Sequence, residues 1–385
     1  MLDVSLSGGS KTEIGQFGSL GIQFSFGALL WLRSLVALNG YNLVQLAKGA
    51  CGIHSLAYGE TMHPAIGPAA EAVALYVKQL GLVDRIREHT GEFVIWDVGL
   101  GAAANALAVL RDTRHLACAI RLVSFDDTTE PLQFALNHAG ALGYFDGYES
   151  HAQALLEKHR VNFHDAEHRV DWELQPGDFP ALLARLVVAS PARSVDEPTH
   201  PRPLPGGEPF VHDLSVPLLG GVRGGFRVAT RRRPRRAAGN FLIQEPEPSS
   251  ADGHETRPAP HAILFDPFSP AKNPAMWTLP LFANLFRLLD PARPCGLSTY
   301  SRSTMTRAGL LLAGFYVGAG HATGAKEETT IAANTLELIQ EPLDGRWLER
   351  ARRSHSAEPL CEAVYRQARL APATWEGLQA HPQFR

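Results

Sequence analysis

The sequence predicts an α/β protein with a doubly wound sheet, amino-terminal additions and one long surface insert. Short apolar runs, each followed by a turn and a helical pattern, recur along the chain, and this alternation is typical of such sheets. A chain of 385 residues with 45% hydrophobic content can bury a sizeable core. It also exceeds the usual domain size of roughly 100 to 200 residues. We therefore expect one main domain with additions.

The predicted elements begin at residue 41, where YNLVQLAKG indicates a short strand. The segment HSLAYGETMHP, residues 54–64, is polar and rich in turn-forming residues, so we expect a loop. Residues 69–86 place apolar side chains at helical spacing and predict one helix. Two runs then each indicate a strand, a turn and a helix: FVIWDVGLGAAANALAVL (93–110) and IRLVSFDDTTEPLQFAL (120–136).

The alternation continues to residue 334. Further strands are predicted at RVNFHD (160–165), HAILFD (261–266), CGLSTYS (295–301) and ETTIAAN (328–334). Helices are predicted at DFPALLARL (178–186), TLPLFANLFRLL (278–289) and TRAGLLLAGF (306–315). These elements complete a main domain over residues 41–334, and residues 335–385 form a partly helical tail.

Residues 188–260 interrupt this pattern. They are rich in Pro, Gly and Arg and keep neither a period of two nor one of 3.6 for long. So long an unstructured connection is rare inside a compact domain, which leaves two interpretations. The segment is a disordered, solvated insert that the fold does not need, or it is a functional arm whose arginines in RRRPRR contact phosphates.

Composition limits the possible partners and compartments. The net charge of −3 gives no global basic field, so a nucleic acid would have to be held by a local patch. The four cysteines form no CxxC pair, which disfavours structural zinc and a disulfide framework and favours the cytoplasm. Residues 20–38 are apolar, but Arg33 interrupts them and no clear cleavage site follows. We interpret residues 1–40 as an extension and expect no membrane partner.

The turn DVGLGAAAN carries the first chemical signal. Gly99 and Gly101 follow a strand and precede a helix, where backbone and helix N–H groups can approach a ligand. Ala104 replaces the third glycine of the dinucleotide fingerprint, which counts against NAD. One strand later, Asp126 is placed to accept hydrogen bonds from a ribose diol. This pair suits an adenosine ligand without a required diphosphate, and it indicates S-adenosyl-L-methionine.

Two further acids are candidates for the same site. Asp178 in QPGDF is expected to bond the adenine amine, although it is equally suited to cap the following helix. Asp266 opens DPFSPAKNPAMWT, whose prolines stiffen the loop and resemble the DPPY-type loop of amine methyltransferases. A carboxylate there can orient an amine and accept its proton. Without the other motifs, Asp266 would be interpreted as a turn residue.

Other conspicuous residues are predicted to be structural. His54, His63 and His89 do not have metal-ligand spacing, so we expect no metal and interpret them as surface or loop histidines. Trp277 is predicted to be a core anchor rather than a platform for a base.

Taken in order, the motifs resemble the MnmC-like methyltransferase family. They are HSLAYGETMHPAIGPAAEA, WDVGLGAAANAL, VSFDD, QPGD, DPFSPAKNPAMWT and TYSRSTMTRAGLLLAGF, followed by Gly320, Gly324, Lys326 and Glu327. The resemblance covers residues 41–333 apart from the insert, and DPFSPAKNPAMW is its most specific part. It implies a Rossmann-like class I S-adenosylmethionine-dependent methyltransferase that acts on 5-aminomethyl-2-thiouridine at the tRNA wobble position.

The resemblance also implies roles for individual residues. The residues implied to bind the cofactor are Glu60, Gly99, Gly101, Asn105, Asp126 and Asp178. The residues implied to form the catalytic loop are Asp266, Pro267 and Phe268. The sequence departs from the family at GLGAAAN, where a glycine-threonine-glycine turn is usual, and at His63-Pro64, where His-Ser is more common. No FAD-binding oxidase half follows, so we expect the family's second activity to be absent.

Two alternatives to a tRNA-modifying enzyme remain open at this point. The chain could methylate a small-molecule or protein amine, for which activity on free amines without RNA is the discriminating observation. It could instead be a catalytically silent module that binds S-adenosylmethionine, which turnover of the cofactor would exclude.

Overall fold

The computed structural model describes residues 40–189, 259–323 and 327–385. The predicted extension at residues 1–39 and nearly all of the predicted insert lie outside these ranges. The strands are β1 Tyr41–Gln45, β2 Cys51–Ser55, β3 Glu60–Thr61, β4 Glu92–Val98, β5 Ala119–Asp126, β6 Arg160–Asp165, β7 His168–Pro176, β8 Ala262–Phe265, β9 Gly296–Thr299, β10 Tyr316–Gly320 and β11 Thr329–Ala333.

The helices connect these strands in chain order. They are α1 Pro68–Ala72, α2 Leu82–Glu88, α3 Ala104–Thr113, α4 Glu130–Asn137, α5 Ala139–Leu142, α6 Glu149–Lys158, α7 Phe179–Ala189, α8 Leu279–Arg287, α9 Thr304–Ala313, α10 Gly345–Arg353 and α11 Pro372–Ala380. A π-helix at Val73–Lys78 and short 3-10 helices at Pro274–Trp277, Leu336–Leu338 and Pro382–Phe384 complete the described elements.

Eight strands form the central sheet in the order β10-β11-β9-β8-β4-β5-β7-β6. The five inner strands from β9 to β7 are parallel, whereas β11, β10 and β6 pair with their neighbours in antiparallel fashion. Buried side chains line both faces of β4 and β8, as expected for parallel strands covered by helices. The predicted doubly wound α/β fold is confirmed. Strand order reverses between β4 and β8, where ligands bind in such sheets.

The structure corrects two sequence-based assignments of strands. Residues 54–64 are not entirely loop, because β2 and β3 join β1 in a small antiparallel sheet. RVNFHD is an antiparallel edge strand, and the strand that pairs with β5 is β7, which was not predicted. Val170, Trp172 and Leu174 alternate with more exposed residues along β7, so a period-two pattern was present.

The predicted single helix at residues 69–86 is also wrong, because the chain forms α1, a π-helix and α2 instead. Gly81 adopts φ +58°, a left-handed conformation that suits glycine and separates the π-helix from α2. Inside the π-helix, the Leu75 carbonyl accepts a 2.7 Å hydrogen bond from the Ser298 hydroxyl. The Gln79 N–H donates to the Ala74 carbonyl at 3.2 Å, five residues earlier, which is the π-helical pattern.

Two hydrophobic cores cover the two faces of the sheet. The carboxy-terminal segment belongs to one of them through residues such as Trp347 and Leu378. Between these two residues the segment passes the end of the DPFSPAKNPAMWT loop, where Leu360 forms a parallel bridge with Thr278. Within the described ranges, no helix is both long and apolar enough to cross a membrane.

Candidate active site

A cavity of about 570 Å³ opens at the carboxyl ends of β4, β5 and β8. Its volume lies within the range typical of small-molecule sites. The structure brings every sequence-predicted site residue to its lining: Glu60, Gly99, Gly101, Asn105, Asp126, Asp178, Asp266, Pro267 and Phe268.

The glycine turn forms the floor of this cavity. Gly99 and Gly101 have φ values of +92° and +50°, and Ala103, which precedes α3, also lies in the left-handed region at +63°. A β-carbon at position 99 would stand 2.9 Å from the carbonyl oxygen of Asp266. Glycine is therefore required at this position because two strand-end loops meet there, in addition to any approach of a ligand.

Asp126 is tied to the glycine turn. Its Oδ2 accepts a 2.8 Å hydrogen bond from the Gly101 N–H, and its Oδ1 accepts one of 3.2 Å from the Thr128 N–H. Burial raises the pKa of Asp126 to about 7, with a smaller contribution from the neighbouring Asp127, and the two hydrogen bonds oppose this rise. Each carboxylate oxygen retains a lone pair, so Asp126 can still accept hydrogen bonds from a ligand.

Asp178 lies at the rim of the cavity. Its side chain is exposed and forms no hydrogen bond within the described residues, so it does not cap α7. The turn before it depends on Gly177, which adopts φ +129°. The structure therefore leaves this carboxylate free to meet a ligand.

The predicted catalytic loop, residues 266–278, is held by contacts on three sides. The Tyr300 hydroxyl donates to the Pro267 carbonyl at 2.9 Å, and the Trp277 indole N–H donates to the Phe268 carbonyl at 2.8 Å. The Ser269 N–H donates to Glu60 at 3.0 Å, and the Ser269 hydroxyl donates to the same carboxylate. Glu60, predicted to lie near the cofactor, thus also anchors this loop.

Trp277 is 2% exposed and packs edge-on against Phe265 at 5.3 Å between ring centroids. The prediction that Trp277 is a core anchor is confirmed. Trp277 also stiffens the loop in addition to the prolines, because its buried indole N–H holds the Phe268 carbonyl in place.

Asp266 is oriented by two residues. Asn105 Nδ2 donates a 2.7 Å hydrogen bond to Asp266 Oδ2, and His63 Nε2 lies 3.6 Å from the same oxygen. Burial raises the pKa of Asp266, while His63 and the hydrogen bond from Asn105 oppose the rise. Neither contact uses Oδ1. The completely buried Tyr76 also faces Asp266, and burial together with this carboxylate raises the pKa of its phenol.

His63 is a loop histidine, as predicted, but it also approaches a predicted catalytic residue. Its side chain is 11% exposed, and its backbone holds φ +51°, a left-handed conformation that is uncommon outside glycine. Only the chain path between β3 and α1 brings it to Asp266, 203 positions later in the sequence. The GETMHP motif was noticed, but no local pattern indicated this partner.

Three further lining residues were not predicted. Glu71 is 3% exposed, and its carboxylate accepts hydrogen bonds from the Ala65 and Ile66 N–H groups at 2.6 and 2.9 Å. The Tyr58 ring stacks on Phe268 with centroids 4.0 Å apart. Asp127 adds another carboxylate. Of these three residues, only Glu71 could have been found from the sequence, because it is a single acid within an apolar helical run.

The lining is strongly acidic. Among the described residues it contains no Lys or Arg, and it contains the carboxylates of Glu60, Glu71, Asp126, Asp127, Asp178 and Asp266. The buried Asn105 Oδ1 lacks a hydrogen-bond partner within the described chain, which leaves an acceptor beside the cavity. These groups fit a cationic ligand that carries hydrogen-bond donors, as S-adenosyl-L-methionine does with its sulfonium and ammonium groups. The described residues contain no cluster suited to a metal ion.

Comparison with known families identifies the chemistry of this region. Residues 254–335 match the model of a family described as S-adenosyl-L-methionine-dependent methyltransferase. The matched region includes the catalytic loop and Tyr300. This finding confirms the predicted enzyme class and cofactor.

Curated relatives resemble shorter parts of the chain. The tRNA 5-methylaminomethyl-2-thiouridine biosynthesis bifunctional protein MnmC of Methylibium petroleiphilum is 37% identical over 86 residues, which cover 22% of this chain and 13% of that protein. MnmC of Ectopseudomonas mendocina is 37% identical over 89 residues, covering 23% of this chain and again 13% of the relative. The alignments thus span about an eighth of the relatives' length.

A solved structure resembles nearly the whole chain. The crystal structure of MnmC2 from Aquifex aeolicus superposes with a TM-score of 0.52 at 18% sequence identity, covering 94% of this chain and 92% of that chain. At this identity the similarity establishes a shared fold.

Proposed function

Since the chain carries an MnmC-like, S-adenosyl-L-methionine-dependent methyltransferase domain, we propose that it methylates the 5-aminomethyl group of wobble 5-aminomethyl-2-thiouridine in cytoplasmic tRNA. The observation that carries this proposal is the position of Asp266. It stands in an acidic cavity with Oδ2 engaged by Asn105 and Oδ1 outside that contact. The names of the MnmC relatives support the choice of substrate.

The cavity determines which part of a tRNA can enter. Its carboxylates repel phosphates but attract an aminomethyl group, which is a cation in water. A wobble nucleotide is single-stranded, so its base can leave the stack and present the amine to the cavity at low cost. The stacked rings of Tyr58 and Phe268 offer an aromatic wall for that base.

The residues of the chain divide into two groups in this reaction. Asp126, Asp178, Asn105 and the turn at Gly99 and Gly101 hold S-adenosyl-L-methionine, which when bound supplies an electrophilic methyl group on a sulfonium. Asp126 accepts hydrogen bonds from the ribose hydroxyls, and Asp178 accepts one from the adenine amine. The unpaired Asn105 Oδ1 receives a donor of the cofactor.

Asp266 acts on the substrate amine, which must be neutral to attack. Its Oδ1 accepts a hydrogen bond from the amine and directs the lone pair towards the methyl group. As the nitrogen gains the methyl group and loses a proton, Asp266 accepts that proton. His63 and Asn105 favour the ionised form of the carboxylate against the effect of burial and fix its rotamer, while Pro267 and Phe268 maintain the shape of the loop.

The test begins with tRNA from cells that lack this protein. Nucleoside mass spectrometry is expected to show 5-aminomethyl-2-thiouridine accumulating, and purified protein with S-adenosyl-L-methionine is expected to convert it to the methylated nucleoside. An unchanged wobble profile would overturn the tRNA assignment. Turnover on free or peptide-borne amines without RNA would assign the same acidic cavity to a different amine. Absence of turnover on every amine would indicate that the protein binds the cofactor without catalysing methyl transfer.

A further inference from the structure

Four exposed arginines form what we call the arginine surface: Arg302, Arg346, Arg350 and Arg353. Within the described part of the chain, none of them forms an ion pair. Two other exposed arginines do form ion pairs: Arg87 with Asp84 at 2.5 Å and Arg160 with Asp171 at 2.6 Å. The arginine surface therefore keeps positive charge that the protein does not neutralise.

Helix α10 places three of these arginines on one face. Arg346, Arg350 and Arg353 follow the spacing i, i+4 and i+7, so they share the outer side of the helix. The opposite side buries Trp347, Leu348 and Ala351 in the core. Packing of that apolar side fixes the direction in which the arginines point, whether or not they bind anything.

Two carboxylates accompany the arginines of α10. Asp344 caps the helix, since its Oδ1 accepts a 2.9 Å hydrogen bond from the Trp347 N–H. Glu349 lies among the arginines on the exposed side. With Arg302 included, four cationic groups face two anionic groups, and the surface retains a net positive charge.

One member of the arginine surface, Arg302, lies close to a cavity-lining residue along the chain. Arg302 follows Tyr300, a lining residue, by two positions. Burial lowers the pKa of the Arg307 guanidinium, at the start of α9, and the nearby Arg350 and Arg302 add smaller contributions in the same direction, so these two arginines lie on the same side of the molecule as Arg307. The chain that leaves α10 then reaches the end of the catalytic loop, where Leu360 accepts a 2.7 Å hydrogen bond from the Leu279 N–H.

A polyanionic substrate with a cationic target group needs these two kinds of surface side by side. The cavity attracts the amine but repels phosphates, so the backbone of the substrate must be bound outside it. Arginine suits this task because its planar guanidinium donates two parallel hydrogen bonds to phosphate oxygens.

We propose that the arginine surface binds the sugar–phosphate backbone of an RNA substrate while the target base enters the acidic cavity. This inference rests on the proposed function. Phosphate contacts of this kind add affinity and register without reading sequence, and they make binding depend on salt.

The test compares the Arg302→Gln/Arg350→Gln/Arg353→Gln variant with wild type and with the control Arg87→Gln/Arg160→Gln. Binding of full-length tRNA is measured by fluorescence anisotropy across a series of KCl concentrations. Each lost phosphate contact lowers the slope of log affinity against log salt by about 0.7 to 0.9. We expect a decrease of about 2 to 3 for the triple variant, about 1 for Arg350→Gln alone, and none for the control.

A second readout separates this inference from the proposed function. The triple variant is expected to bind S-adenosyl-L-methionine and to methylate the free 5-aminomethyl-2-thiouridine nucleoside as wild type does, since neither carries the RNA backbone. Wild-type methylation of tRNA together with an unchanged salt slope in the variant would overturn the arginine surface alone. Failure of wild type to bind tRNA would overturn both proposals. Loss of binding to anionic phospholipid vesicles, but not to tRNA, would reassign the surface to lipid.

Discussion

Gly99 stands directly against Asp266: a β-carbon on the first residue would lie 2.9 Å from the carbonyl oxygen of the second. The turn that predicted a cofactor and the loop that predicted catalysis are therefore in contact. Asn105 adds a second link at 2.7 Å between the same two motifs. Changes on the cofactor side of the cavity should consequently reach the catalytic side.

Gly99→Ala tests this contact. Two costs combine at this position, left-handed backbone strain of about 1 kcal/mol and displacement of the Asp266 backbone. Gly143→Ala is a matched control, because Gly143 has φ +67° and a β-carbon there would meet nothing within 4 Å. Urea unfolding should show the larger loss for Gly99→Ala, and methyl transfer should fall only in that variant. Equal losses of stability in both variants would show that the loop simply moves aside.

Asp266→Ala and Asp266→Asn distinguish orientation from proton transfer. We expect Asp266→Ala to lower the methyl-transfer rate by roughly 10²-fold or more with little change in cofactor affinity, since alignment and proton acceptance act in the transition state. An asparagine oxygen still accepts the amine's hydrogen bond but cannot take its proton. Single-turnover rates decide: activity retained by Asn alone indicates orientation, and loss in both indicates a base. Wild-type rates in both variants would show that Asp266 has no catalytic role.

Asp126→Ala should weaken binding of S-adenosyl-L-methionine by about 1.5 to 3 kcal/mol, because the hydrogen bonds that the ribose hydroxyls donate to a charged carboxylate are lost. Isothermal titration calorimetry measures this directly. Asp178→Ala in the same assay reports the adenine contact. Unchanged affinity in Asp126→Ala would show that Asp126 does not bind the ribose and serves only to support the backbone at Gly101.

Cofactor binding should also depend on pH through Asp126. Burial raises its pKa to about 7, so the free protein favours the neutral form below that pH. A bound cation favours the carboxylate, so binding at pH 6 should release a proton and be weaker than at pH 8. By the same linkage, the stability that neutral Asp126 contributes to the free protein is complete below about pH 4 and is lost as pH rises through about 7.

Calorimetry in buffers of different ionisation enthalpy measures the released proton. Asp126→Asn should abolish that release. Burial also raises the pKa of Asp97 to about 7, yet Asp97 does not line the cavity, so Asp97→Asn is the matched control. If the proton release survives in Asp126→Asn but disappears in Asp97→Asn, the titrating group has been misassigned.

His63→Ala removes the neighbour that most opposes protonation of Asp266. The pKa of Asp266 should rise, so the acidic limb of the pH profile of kcat/KM should move to higher pH. We expect a roughly tenfold loss of kcat at neutral pH. His54→Ala is the control, because His54 bonds Thr61 at 2.9 Å and is not part of the cavity lining. A uniform loss of activity without a shifted limb would mean that His63 only fills space.

The sequence alone determined the features that arise from neighbours in the chain. Apolar runs and turns predicted β4, β5, β8 and β9, because burial of both faces leaves a continuous apolar pattern. Asp126 and Asp266 were found for a related reason, since each directly follows such a run and parallel strands end at one edge. The stiffness of the DPFSPAKNPAMWT loop could likewise be predicted from its prolines alone.

Tertiary structure decided the contacts between distant segments. No pattern around residue 63 shows that its imidazole meets Asp266, and nothing around residue 99 shows that its glycine makes room for the loop at 266. The single helix predicted at residues 69–86 contains a π-helix, within which the Leu75 carbonyl bonds Ser298 from far along the chain. Local propensity is a weak prior that such long-range bonds and packing override. The acidic cavity exists only once the strands have brought their ends together.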